Sequence, residues 1–96
     1  MSGPIDPEVI ELAGRVFDES AAVEATVTLI DALSGGQVGT ARTADDGHYR
    51  LAVPRAGDYL LVVSAPGRRP VAERVRVVAP ELAVARDVRA APLTRA

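Results

Sequence analysis

Thr43-Ala44-Asp45-Asp46-Gly47-His48-Tyr49-Arg50-Leu51-Ala52-Val53-Pro54-Arg55-Ala56-Gly57-Asp58-Tyr59-Leu60-Leu61-Val62-Val63-Ser64 is the stretch that decides the fold class. Asp46-Gly47 is a strong hairpin signal, because glycine accepts the positive φ that tight turns demand. The run His48–Val53 then alternates, with Tyr49, Leu51 and Val53 on one face. Pro54-Arg55-Ala56-Gly57 reads as a second tight turn, the proline presetting φ. The run Asp58–Ser64 again puts Tyr59, Leu61 and Val63 on one face. Apolar residues at a period of two, in short runs bounded by turn chemistry, specify half-buried strands rather than helices.

The same punctuation continues outward. Upstream, Gln37–Thr43 is weakly apolar and is expected at a sheet edge. Ser34-Gly35-Gly36 turns the chain, and Glu24–Asp31 sets Ala25, Val27 and Leu29 against Thr26 and Thr28. Asp18-Glu19-Ser20 is another turn, preceded by a strand over Ile10–Phe17. Downstream, Ala65-Pro66-Gly67-Arg68-Arg69-Pro70 is a loop, and strands follow over Val71–Val78 and Leu82–Arg89. Seven strands without a helix or an internal repeat predict an all-β, antiparallel Greek-key sandwich. Its core is expected on Leu12, Val16, Val27, Leu29, Tyr49, Leu51, Tyr59, Leu61, Val63, Val75 and Val77. The domain would span residues 10–90, between a loose arm at 1–9 and a frayed tail at 91–96.

Composition excludes several chemistries. The chain has 96 residues, 48% of them hydrophobic, with 13 acidic groups against 11 basic ones. That length suits one domain, which buries roughly two-thirds of its unfolded surface. Near-balanced charge gives no basic footprint for nucleic acid, and 3% aromatics with no Trp offer no stacking platform. With no Cys and one His, neither a thiolate metal site nor a His-pair site nor a cysteine nucleophile can be built. No metal or other cofactor is expected. Every basic residue is Arg, so no Schiff base forms, and the absence of Lys and Asn removes a side-chain isopeptide crosslink. Arginine-only usage with abundant Ala and Val is the bias of a GC-rich bacterial genome. The first residues lack a basic region followed by an apolar run, and Tyr59 to Val63 is far too short to span a bilayer. As written, the chain is expected in the cytoplasm.

Four motifs in order resemble the carboxypeptidase regulatory-like domain family. They are Leu12-Ala13-Gly14-Arg15-Val16, Ala25-Thr26-Val27-Thr28-Leu29, Thr43 to Leu51, and Pro54 to Gly67. The resemblance covers roughly Ile10 to Leu93 and implies a transthyretin-like β-sandwich of seven strands without catalytic activity of its own. It also implies an accessory module of a larger protein or complex, such as a soluble appendage of a bacterial transporter or a peptidase. Tyr49 and Tyr59 would lie one strand apart on the core face, each bonding its hydroxyl near a turn. Arg68 stands where relatives often carry an aromatic residue, which removes one packing group from its loop. Two families of similar architecture fit less well. Crosslinked pilus domains need the Lys–Asn bond, and the hydroxyisourate hydrolases need His and Arg clusters and a C-terminal motif that Pro92-Leu93-Thr94-Arg95-Ala96 does not supply.

Three surface groups are candidate sites. Asp45 and Asp46 with Gly47 could open a calcium loop completed by Asp31 or Asp58, but calcium takes six to eight oxygens and a capped hairpin turn accounts for them better. That loop, with carbohydrate binding, is the alternative function. His48 lacks an adjacent nucleophile and orienting group, so an exposed turn position is expected of it. Arg68, Arg69, Arg74 and Arg76 form the one basic cluster, diluted by Glu73 and Glu81. The strongest lead is apolar: if Tyr59, Leu61 and Val63 face the core, Leu60 and Val62 face outward, and so does Ile30 on the second strand, which the family resemblance implies is the fifth strand's neighbour. Those three side chains predict a face that docks a protein partner or a second copy.

Overall fold

A computed structural model describes residues 10–19, 21–78 and 83–92. The elements are β1 (Ile10–Asp18), β2 (Ala21–Ala22), β3 (Thr26–Asp31), β4 (Gln37–Arg42), β5 (His48–Val53), β6 (Gly57–Ser64), β7 (Val71–Val77), β8 (Ala83–Ala85) and β9 (Val88–Arg89). They form two sheets. One has the order β4-β3-β6-β7, and the other is centred on β1, flanked by β2 and β5 and, on its other edge, by β8 and β9. β4 is the edge strand its weak apolar pattern suggests. All eleven expected core residues are buried between the sheets, joined by Ile10, Val23, Ala25, Val53, Val88 and Ala90.

Several expectations are corrected. The last strand, expected over Leu82–Arg89, is two short strands interrupted at Arg86-Asp87, and both run parallel to β1. β7 ends one sheet and β8 belongs to the other, so no hairpin forces them antiparallel. For the same reason neither expected hairpin forms: Asp45-Asp46-Gly47 carries the chain from β4 in one sheet to β5 in the other, and Pro54-Arg55-Ala56 arches back from β5 to β6. Tyr49 and Tyr59 therefore project into the core from opposite sheets.

The second strand begins at Thr26 rather than Glu24, because the Thr43 side chain occupies the ladder position before it. Ala25 N–H donates to Thr43 Oγ1 at 2.9 Å, and Thr43 Oγ1 donates to the Val23 carbonyl at 3.2 Å. Ala21–Ala22 adds a short hairpin on β1, closed by Glu19 at φ +56°. At the C-terminus, Ala90 is buried and its N–H donates to the Phe17 carbonyl at 2.8 Å, while the Ala91 carbonyl accepts from Arg68. The chain is thus held one residue into the expected tail. The arm at 1–9 and residues 93–96 lie outside the described residues.

Candidate functional site

The outer face of the four-stranded sheet is set by two in-register pairings. Ile30 on β3 stands opposite Leu60 on β6, which stands opposite Arg74 on β7. In the next row Thr40, Thr28, Val62 and Ala72 lie side by side across all four strands. The structure therefore brings Ile30, Leu60 and Val62 together at the centre of this face. Each is half-buried. The Thr28 and Thr40 hydroxyls meet at 3.4 Å and mark the polar margin. On β4 the register shifts between Leu29 and Ile30, a bulge that bends this edge.

The four arginines do not act as one group. Arg68 is withdrawn from solvent, its side chain 13% exposed, and Nη1 donates to Asp18 Oδ2 at 2.7 Å and to the Ala91 carbonyl at 2.8 Å. It ties the β6–β7 loop to the end of β1 and to the chain beyond β9. Arg76 is exposed and pairs with Asp58 at 2.9 Å. Arg69 and Arg74 are exposed and have no carboxylate partner among the described residues.

The Asp45-Asp46-Gly47 segment is a turn bonded to itself. Gly47 N–H donates to the Ala44 carbonyl and Ala44 N–H to the His48 carbonyl, both at 2.8 Å. Asp46 accepts from the His48 backbone N–H at 3.1 Å and faces His48 Nδ1 at 3.0 Å. Those hydrogen bonds, the backbone one foremost, hold the Asp46 carboxyl below its ordinary range. Gly47 sits at φ +85°, and a Cβ there would come within 2.6 Å of the Val16 carbonyl oxygen, so the turn requires glycine. Among the described residues no group of three or more His, Asp or Glu side chains is placed to hold a metal ion. A hollow of about 480 Å³ opens beside Arg42, His48 and Arg50, but His48 is engaged by Asp46 and Arg50 by Glu11 at 2.9 Å.

A further arrangement was not legible in the sequence. Tyr49 on β5, Gly14 on β1 and Arg86 in the break between β8 and β9 form a row. Gly14 is the register partner of Tyr49, and a Cβ at Gly14 would overlap the Arg86 carbonyl oxygen and lie 3.1 Å from Tyr49 Cε1. Over this gap the Tyr49 hydroxyl donates to the Arg86 carbonyl at 2.6 Å. Burial, and then the Asp87 carboxylate, push the Tyr49 phenol up to about 12. The Tyr59 hydroxyl donates to the Arg55 carbonyl at 2.7 Å in the arch between the sheets, and burial raises its phenol too.

Residues 11–90 match the model of the carboxypeptidase regulatory-like domain. The chain belongs to this family. Among solved structures, the domain resembles a variant of BcpA, the major pilin subunit of Bacillus cereus, with TM-score 0.69 and 16% identity over 86% of this chain and 29% of that one. It also resembles a DUF3823 family protein from Bacteroides ovatus, with TM-score 0.68 and 21% identity over 90% and 45% of the two chains. A third is the dioxygenase domain of a dioxygenase and carbohydrate-binding fusion from Streptomyces sp. SirexAA-E, with TM-score 0.66 and 14% identity over 85% and 79%. At these identities the likeness is one of fold. This regulatory-like domain spans less than half the length of the pilin and of the DUF3823 protein. No curated protein matches it in sequence.

Proposed function

We propose that this domain is a non-catalytic structural and protein-interaction module, accessory to a larger protein or complex, which packs against a second folded domain through the outer face of the β4-β3-β6-β7 sheet. The observation that carries the proposal is the in-register apolar centre Ile30–Leu60 with Val62, framed by Thr28, Thr40 and Arg74. An apolar centre with a polar rim is the anatomy of a protein contact surface. Support comes also from the two relatives in which this fold is a fraction of a longer chain, one of them a pilin subunit.

Light scattering coupled to size exclusion tests the reading, on the wild type over a range of concentrations and on the double variant Leu60→Thr, Val62→Thr. A mass that climbs above 10.0 kDa with concentration and returns to it in the variant supports a face used between copies. A monomer at every concentration, with an equally stable double variant, removes this face from the proposal.

A further inference from the structure

We infer that the free edge of β7 is a strand-addition site for an extended peptide whose outward side chains are acidic. The sandwich has several strand edges, and the described residues protect all but one. β2, β8 and β9 are two or three residues long, the β4 edge is bulged, and β4 and β5 lie alongside one another. Short strands, bulges and mutual coverage are the usual ways an edge is made unavailable. β7 has none of these. It runs seven residues from Val71 to Val77 without a proline, pairs with β6 in an unbroken register, and has no strand on its other side among the described residues. Its outer row of N–H and C=O groups is a template for another strand.

The charges of β7 select what can pair there. Its outward side chains are Ala72, Arg74 and Arg76, all exposed, and Arg69 is exposed just before the strand. Arg76 is engaged by Asp58, whereas Arg74 and Arg69 have no carboxylate partner among the described residues. A second copy of β7 is a poor occupant. Antiparallel self-pairing that keeps both outer faces on one side sets Arg74 against Arg74 when the strands overlap fully. A shift of two residues one way sets Arg74 against Arg76, and the other way sets Glu73 against Glu73. Like charges directly opposite each other destabilise a sheet pair. A foreign strand with Asp or Glu outward meets Arg74 with opposite charge in the same place. Its alternate, inward residues would be aliphatic where they flank Val71 and Val75, with the half-buried Glu73 between those two positions.

The probe is a dye-labelled, end-capped nonapeptide of alternating valine and glutamate, with a control in which lysine replaces glutamate. Binding is followed by fluorescence anisotropy at low salt and located by amide hydrogen exchange. Saturating acidic peptide should slow exchange of the free-edge β7 amides by at least about tenfold, and the lysine peptide should bind at least about fivefold more weakly. Arg74→Glu, at an exposed position, should keep the melting temperature and reverse the preference between the peptides. The Leu60→Thr, Val62→Thr variant should bind the acidic peptide within about twofold of wild type, which separates this edge from the sheet face proposed above. Three results overturn the inference: no binding at millimolar peptide, protection located away from β7, or equal affinity for both peptides.

Discussion

Replacing Gly14 by alanine should destabilise the domain more than any other single added methyl group on a strand that keeps ordinary φ. A Cβ at this position overlaps the Arg86 carbonyl oxygen and comes within 2.5 Å of its carbon. Ordinary van der Waals contact needs the Arg86 backbone to retreat by about 2 Å or β1 to bow away from it. Either movement strains the Tyr49 hydroxyl bond to the Arg86 carbonyl at 2.6 Å and the Arg86 N–H bond to the Ala13 carbonyl at 2.9 Å. Forcing a methyl into packed structure costs about 1–3 kcal/mol, and a buried hydroxyl left without its acceptor a further 1–3 kcal/mol or so. The smaller conformational freedom of alanine in the unfolded chain returns about 0.5–1 kcal/mol. The net loss is about 1–5 kcal/mol, centred near 3 kcal/mol, which is about 12–24 °C in Tm for a domain of about this size.

Thermal and urea unfolding of Gly14→Ala, beside Gly39→Ala as control, measure it. At Gly39 the nearest atom to a new Cβ is Leu51 Cδ2 at 3.6 Å, an ordinary contact, so stability there should stay within about 1 kcal/mol. Tyr49→Phe should cost about 1–2 kcal/mol alone, and its effect should shrink in the Gly14→Ala background, where the bond is already strained. Gly14→Ala at wild-type stability, or strict additivity with Tyr49→Phe, would refute the account of this row.

Three further outcomes are expected. The Tyr49 phenol lies at about 12 in the folded protein against about 10 when unfolded, so its contribution is full below pH 10 or so and is lost as pH rises toward 12. Alkaline titration of stability should therefore show a shallower fall in Tyr49→Phe than in wild type, with Tyr59 adding a loss of the same sign. Arg68→Ala should cost about 2–3 kcal/mol by urea unfolding, since it leaves the Asp18 carboxylate and the Ala91 carbonyl without their shared donor, and Arg68→Lys should recover only part of that. The Asp46 carboxyl should titrate below the usual aspartate range by NMR. His48→Gln should bring it only part of the way back, because the backbone N–H of residue 48 remains as donor.

Legibility differs between the two candidate surfaces. Ile30, Leu60 and Val62 could be turned outward by counting in twos from the core residues Leu29, Leu61 and Val63, because alternation is a local property of a strand, while the adjacency of their two strands followed from the family resemblance. The grouping of Arg68 with Arg69, Arg74 and Arg76 followed their nearness in sequence. Asp18, fifty residues away, takes Arg68 out of that group, and no local pattern signals such a contact. The row of Tyr49, Gly14 and Arg86 was hidden for the same reason. Gly14 is a small residue among alternating ones, and only the arrival of Arg86 over it shows why a side chain is not accommodated.

What the sequence determined by itself was the longer strands up to Val77, their buried faces and the glycine at the Asp46-Gly47 turn, all of which follow from side-chain alternation and backbone sterics over a few residues. What the tertiary structure decided was the sheet to which each strand belongs. Pro54-Arg55-Ala56 has the residues of a tight turn, yet it carries the chain across the sandwich. The segment Ala83–Arg89 joins β1 in parallel because the edge beside β1 is where Val88 can be buried against Val16. Partner choice between distant strands depends on which edges and apolar faces remain after the local pairs have formed, and that is a property of the whole assembly.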